Sequence, residues 1–163
     1  MSEENPWKTK SVTTTYENPW IKVEHHDVLN PAGNPGIYGT VSFKNRAVGV
    51  VPIADNGDTW LVGQYRFPLQ EYHWEIPMGG APKGESPEDC ALRELREESG
   101  LIAESLIPIG RVHLSNCITD EEGLLFVAQG LTEGPSETEE TEVLTLRRLP
   151  FEEAFQMAQD GRI

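Results

Sequence analysis

Glu94, Glu97 and Glu98 fall within five residues of one another in the stretch GGAPKGESPEDCALRELREESGL, residues 79–101. On a helix, positions three and four apart are neighbours, so these three carboxylates would share one face. Like charges at such spacings repel by about 0.2–0.5 kcal/mol per pair in water, and by more where water is excluded. Arg93, four residues before Glu97, offsets one of these charges but not all three. Carboxylate oxygens are hard ligands of the kind that Mg2+ and Mn2+ prefer, and both ions also bind phosphate oxygens. A divalent cation would therefore give the cluster a purpose. A solvated acidic helix face is the other reading that the spacing alone leaves open.

The local sequence supports the helix. Ser86 is placed to accept a hydrogen bond from a free backbone N–H as N-cap, Pro87 suits the first helical position, and Asp89 completes a capping-box pattern. Gly100 marks the end, because glycine adopts the left-handed conformation that closes a helix. Ala91, Leu92 and Leu95 are expected to form the face that docks on a sheet. Gly79 and Gly80 precede the helix and allow a tight turn with close backbone approach to a ligand.

The elements that must position this helix are mostly strands. WIKVEHHDV (residues 20–28) and GIYGTVSF (36–43) read as a hairpin across LNPAGNP, and AVGVVPIA (47–54) and TWLVGQYRF (59–67) as a second hairpin across DNGD. YHWEIP is a further short strand. LIPIGRVHL, GLLFVAQGL and EVLTLRRL read as strands beyond the helix, and FEEAFQMAQDG as a second helix with Phe151, Ala154, Phe155 and Ala158 on its apolar face. This order predicts an α/β or α+β sandwich, a mixed sheet covered by helices. Residues 1–45 form a separate antiparallel strand arm and residues 46–163 the main domain. The arm is rich in aromatics, with Trp7, Tyr16, Trp20, Tyr38 and Phe43. Most are expected to fill the hairpin's inner face, with one or two stacking on a planar base or across a subunit interface.

The whole-chain balance narrows the function. With 27 acidic against 13 basic residues among 163, the formal net charge is -14. Such a surface repels nucleic-acid backbones and anionic membranes, so neither is an expected partner. An anionic substrate would need bound cations or well-placed arginines. No apolar run approaches the roughly 18 residues of a membrane span, and the polar start MSEENPWKTK has no signal-peptide pattern, which places the protein in the cytoplasm. Cys90 and Cys117 match no metal-ligand spacing or disulfide framework, and the four histidines include no i, i+4 pair suited to zinc.

The spacing Gly79, five residues, Glu85, seven residues, Arg93-Glu94-Leu95, one residue, Glu97-Glu98, one residue, Gly100-Leu101 resembles the complete signature of the Nudix hydrolases, with nine positions agreeing across 23 residues. The resemblance implies the α/β/α sandwich of that family. It also implies hydrolysis of a nucleoside diphosphate linked to another group, with Mg2+ (or Mn2+) as cofactor. Carried onto this chain, it makes Glu94, Glu97 and Glu98 the metal ligands, Arg93 the group that orients them, and Glu85, with Gly79 and Gly100, the support of the loop and helix ends.

QYRFPLQEYHWEIPMGG is similar to the subgroup that acts on ADP-ribose and other nucleoside diphosphate sugars. That likeness implies a phosphate contact for Arg66, a place near substrate or metals for Glu75, and the backbone carbonyl of Met78 as a further metal ligand. It takes the general base from the late stretch TEGPSETEETEV, with Glu140 ranked ahead of Glu142 and with Glu137 and Glu139 in the same run. The arm of the subgroup implies a homodimer and assigns base stacking to Trp20 and Tyr38. Dedicated ADP-ribose enzymes usually carry a proline in the loop after the box, and HLSNCITDE has none. A broader enzyme taking ADP-ribose, GDP-mannose and similar sugars is therefore expected. Hydrolysis of dinucleoside polyphosphates or NADH-like cofactors is the enzymatic alternative, and a non-catalytic ligand sensor of the same fold is the other. The intact glutamates argue against the sensor. The chain stops at DGRI, where relatives usually continue into a further helix, so a longer carboxyl end is expected.

Overall fold

Runs of β-branched and aromatic residues separated by Pro, Gly and Asn turns make strands the dominant element of this chain. The computed structural model describes residues 4–135 and 143–163. Two compact units emerge, one from residues 4–46 with 113–122, the other from residues 47–112 with 123–163.

The first unit is an antiparallel sheet of β1 (Lys8–Glu17), β2 (Ile21–Leu29) and β3 (Pro35–Phe43), in that order. The expected hairpin of β2 and β3 forms, with Val23 opposite Val41 and His26 opposite Tyr38. Strand β1 is an addition, and every one of its residues is exposed. Val12, the Thr13–Thr15 run and Tyr16 supply its β propensity. The segment 113–122 joins the sheet at β3: Val41 N–H donates to the Ile118 carbonyl at 2.8 Å and the Tyr38 hydroxyl donates to the Cys117 carbonyl. The aromatics do not fill an inner face as expected. Trp20 is 67% exposed and Tyr16 56%, because a single sheet has no second layer of its own to receive them and only Val28 among its apolar residues is fully buried.

In the second unit, β4 (Arg46–Pro52) and β5 (Asp58–Arg66) are followed by β6 (Glu71–Glu75), β7 (Met78–Ala81), α1 (Pro87–Ser99), β8 (Leu101–His113), β9 (Glu122–Glu133), β10 (Thr145–Pro150) and α2 (Phe151–Gln159). They make a four-stranded sheet, β7-β4-β9-β8, and a three-stranded one, β10-β5-β6, with parallel pairing between β4 and β9 and antiparallel pairing in the smaller sheet. The mixed α+β character matches the expectation.

The second hairpin does not form as a ladder. The turn is there, with Gly57 at φ 84°, but only Ile53 and Thr59 bridge before the strands part into different sheets. Pro52 has no N–H to continue the pairing, and Val48 and Val50, buried completely, are covered by β9 through Phe126 and Ala128.

One core joins Val48, Val50, Trp60, Ala81, Cys90, Ala91, Leu95, Leu101, Phe126 and Ala128. Cys90 rather than Leu92 completes the docking face of α1, since Leu92 is 40% exposed. A second cluster sets Ala154 and Met157 of α2 on Leu61 and Leu149. Phe151 and Phe155, expected on the buried face, instead stack on each other at 6.4 Å and stay about half exposed. The residues three apart, Ala154 and Met157, are the ones that meet the sheet.

The limits of α1 are those the capping residues dictate: Ser86 Oγ accepts from Asp89 N at 3.0 Å, and Gly100 at φ 69° returns its N–H to the Arg96 carbonyl. Replacing Ser86 by Ala is expected to cost about 1 kcal/mol of stability, read as a lower midpoint in urea with unchanged slope.

Candidate active site

The chemistry-bearing residues of the second unit come from α1, β5, β6 and β7. Helical periodicity puts Cys90, Glu94 and Glu98 on one line, and all three are buried. The buried stripe of α1 thus sets Cys90, Ala91 and Leu95 beside Glu94, Glu98 and Ser99, and two carboxylates enter the protein with it. Such groups need close compensation, because an unsatisfied charge in a low-dielectric site is far more costly than an unsatisfied neutral group.

Arg93 supplies most of that compensation. Its Nε and Nη2 donate to the two carboxylate oxygens of Glu85, each at 2.9 Å, and its Nη1 donates to Glu94 Oε1 at 2.7 Å and Glu97 Oε2 at 2.9 Å. Nη2 also reaches the Gly80 carbonyl at 3.3 Å. One guanidinium thereby ties three carboxylates from the glycine-rich turn and two levels of the helix. Its hydrogen bonds to Glu85, then to Glu94 and Glu97, raise Arg93 above the ordinary guanidinium value, and the same hydrogen bond from Arg93 holds Glu85 below the usual carboxylate range. Beneath them the Cys90 thiol is pushed up to about 12, first by burial and then by the Glu94 charge, so it stays protonated.

Glu98 is held differently. Its Oε2 accepts from the backbone N–H of Met78 at 2.9 Å, which fastens α1 to the first residue of β7. Gly79, next in the chain, has no room for a side chain: a Cβ there would lie 2.0 Å from the Glu94 carboxylate. The glycine is required because a carboxylate occupies that space. On the smaller sheet, Glu75 accepts from Arg66 through both oxygens, with Nε at 2.8 and 3.0 Å. Arg66 lies opposite Glu71 and Glu75 opposite Val62, so the pair meets along the sheet face rather than in register.

The sequence-derived residues Arg93, Glu85, Glu94, Glu97, Gly79 and Met78 with Glu98 are thus gathered around the start of β7. Arg66 and Glu75 pair with each other on β5 and β6. Trp20 and Tyr38 belong to the first unit, where Tyr38 meets Trp7 edge to face at 5.3 Å. Glu140 and Glu142, with Glu137 and Glu139, lie outside the described residues. Sequence reasoning missed Cys90 and the Gly80 carbonyl as neighbours of Arg93. The i, i+3 spacing of Cys90 and Arg93 was the available signal for the first.

As donors for a metal, the carboxylates of Glu94, Glu97 and Glu98 have the right hardness, and Glu94 lies against Gly79 of the glycine turn. Among the described residues no group of three or more His, Cys, Asp or Glu side chains is arranged to hold an ion as it stands. Two of the three are engaged by Arg93 instead.

A folded-state value below the unfolded one means that Glu85 contributes stability above the ordinary carboxylate value, and that this contribution is lost as pH falls through its lowered value. Glu85→Gln is expected to lower thermal stability at neutral pH and to flatten the decline on acidification below about pH 4.5, measured as melting temperature against pH.

Comparison with known proteins identifies the family. The NUDIX domain family matches residues 43–162, and the nucleoside diphosphate sugar hydrolase N-terminal domain matches residues 7–41. The chain is 34% identical over 165 aligned positions to a methanol dehydrogenase activator of Bacillus methanolicus, covering 100% of this chain and 87% of the relative. It is 34% identical to an ADP-ribose pyrophosphatase of Mycobacterium tuberculosis over 98% of this chain and 78% of the relative. It is also 35% identical to an ADP-ribose pyrophosphatase of Bacillus subtilis, over 72% of this chain and 64% of the relative. The crystal structure of an ADP compounds hydrolase superposes with a TM-score of 0.86 at 24% identity, covering 98% of this chain and 86% of that one, which establishes the likeness of fold. The glutamates gathered by Arg93 lie within the matched residues, and the chain belongs to the Nudix hydrolases.

Proposed function

We propose that the chain hydrolyses the diphosphate bond of nucleoside diphosphate sugars such as ADP-ribose and GDP-mannose, with Mg2+ (Mn2+ in its place), to a nucleoside monophosphate and a sugar phosphate. The observation that carries this reading is the buried acidic stripe of α1, where Glu94 and Glu98 are built into the helix seat beside the glycine turn. The names of the relatives support the substrate class, and the arm matched at residues 7–41 supports the subgroup.

Nudix hydrolases generally require a divalent metal. The ion would be held by Glu94, Glu97, Glu98 and the Met78 carbonyl, and when bound it neutralises the diphosphate and acidifies the attacking water. Arg93 and Glu85 keep those carboxylates aimed at one place. Arg66, with its guanidinium oriented by Glu75, binds a phosphate through its planar fork. Water adds to one phosphorus as the bridging P–O bond breaks, and its proton passes to a glutamate of residues 137–142, Glu140 first and Glu142 second. The exposed aromatics of the first unit serve a homodimer, and Trp20 and Tyr38 present faces on which a nucleobase stacks. NADH-like cofactors contain the same kind of diphosphate linkage and belong in the substrate panel as the second reading.

Incubation with ADP-ribose, GDP-mannose and NADH in the presence of Mg2+, followed by chromatography, is expected to yield AMP from the first and GMP from the second. No monophosphate from any nucleoside diphosphate sugar would overturn the proposal, and product from NADH alone would favour the second reading. Glu98→Gln keeps an oxygen for the Met78 N–H and is expected to retain its melting temperature while losing roughly 10-fold to 100-fold or more in kcat/KM, the range seen when metal-site support is removed.

A further inference from the structure

The Arg66 and Glu75 pair shares its sheet face with a histidine. Antiparallel pairing sets Val62 opposite Glu75, Gln64 opposite His73 and Arg66 opposite Glu71, so these six side chains lie on one face of β5 and β6. Arg66 starts opposite Glu71, yet its guanidinium is held by Glu75, so its stem crosses the Gln64 and His73 pair. His73 therefore stands between two carboxylates and beside the arginine. Its side chain is 32% exposed, but Nε2 is shielded from water and has no hydrogen-bond partner among the described residues. Glu71 Oε2 lies 3.3 Å from that nitrogen without the alignment of a hydrogen bond, and the Glu71 side chain is 72% exposed. A shielded polar atom without a partner opposes folding, whereas an apolar ring at the same strand position would not. Such an orphan has a physical reason where a ligand supplies the missing partner.

Resting on the phosphate contact proposed for Arg66, we propose that His73 is a second phosphate-binding residue, whose Nε2 donates to a substrate phosphate oxygen beside those taken by Arg66. Phosphate and carboxylate oxygens make the same demand on a donor. The carboxylate now next to Nε2 is mostly exposed, so it can swing into water as the phosphate arrives. A further donor matters here because the face is short of positive charge: Glu75 neutralises Arg66, and Glu71 adds another negative charge. Arg148, opposite Trp60 on the far side of the same sheet, is already bound to Asp58. An imidazole N–H adds a directed donor at the one place on this face where a polar atom lacks a partner among the described residues.

Steady-state kinetics with ADP-ribose and Mg2+ test the assignment in His73→Phe, which keeps a flat ring and removes the nitrogen. KM is expected to rise roughly tenfold with kcat nearly unchanged, while the melting temperature holds or rises. His73→Gln, whose amide keeps a donor, is expected to recover part of the lost KM. A histidine with a structural role alone would give the reverse, a lower melting temperature with KM unmoved, and an unmoved KM overturns the inference. Arg66→Met separates the two levels: a raised KM there beside an unmoved one in His73→Phe removes His73 only, and no change in either removes the Arg66 contact as well. Should His73→Phe fail to fold, side-chain 15N NMR of the wild-type chain decides, with ADP-ribose added in EDTA. The His73 Nε2 resonance is expected to shift in step with Arg66 Nε. A shift at Arg66 alone overturns the inference, and no shift at either takes the Arg66 contact with it.

Discussion

The arrangement around the start of α1 depends on one guanidinium neutralising three carboxylates. At an effective dielectric of about 20, two unit charges 4 Å apart interact by about 4 kcal/mol, so an uncompensated pair on one helix face is a serious cost. Arginine suits the task where lysine does not, because its fork sends donors in several fixed directions at once. Arg93 spends one edge on Glu85 and the other on Glu94 and Glu97. With that settled, Gly79 must lack a side chain, the turn at Gly80 must bring its carbonyl near Nη2, and the Cys90 thiol below must stay neutral.

The position of α1 follows from the same constraint. Its apolar residues Ala91 and Leu95 are fully buried and supply about 1.5–3 kcal/mol for a side chain the size of Leu95, but they do not fix the helix along its own axis. The bond from Met78 N–H to Glu98 does, since it ties a residue near the end of the helix to the first residue of β7. Packing therefore sets which side of the helix is inward, and polar contacts set where along β7 the carboxylates stand. The first unit is governed by another rule. A lone three-stranded sheet of mostly exposed residues has little interior, and its edge is extended by the segment between β8 and β9 through the Val41, Tyr38 and Phe43 contacts.

What could be read from the sequence was what is encoded locally. The helix from Pro87 to Ser99 is bounded by residues that act within one turn of themselves, and its ends fall where Ser86 and Gly100 place them. The turn at Gly57 is equally local and is equally present. Its strands diverge because their partners, β9 and β10, come from some seventy to ninety residues further on, and no local signal announces which edge will be filled first. Phe151 and Phe155 mislead for the same reason: hydrophobicity marks them as inward, while the space over Leu61 and Leu149 admits Ala154 and Met157. The glutamates were legible as a group, but their division into one partner of a backbone N–H and two partners of Nη1 was not, since it depends on where β7 ends up.

This contrast bears on how reaction and substrate choice are divided in the molecule. The groups assigned to the metal sit on a single helix and the four residues of β7, so a short segment specifies most of their geometry. Arg66 and Glu75, assigned to the substrate side, come instead from two other strands, β5 and β6, whose pairing brings them onto one face. Arg66 illustrates the difference: it meets Glu75 across the face of a hairpin, passing over the Gln64 and His73 pair, and nothing in the spacing of those residues demands it. Because Glu75 grips the guanidinium through Nε, a phosphate would meet a group whose plane is already fixed, and the cost of ordering a long side chain would fall on folding rather than on binding. The orientation of Arg66 thus depends on the pairing of two strands, whereas the arrangement of Glu94, Glu97 and Arg93 depends on a helix and the glycine turn before it.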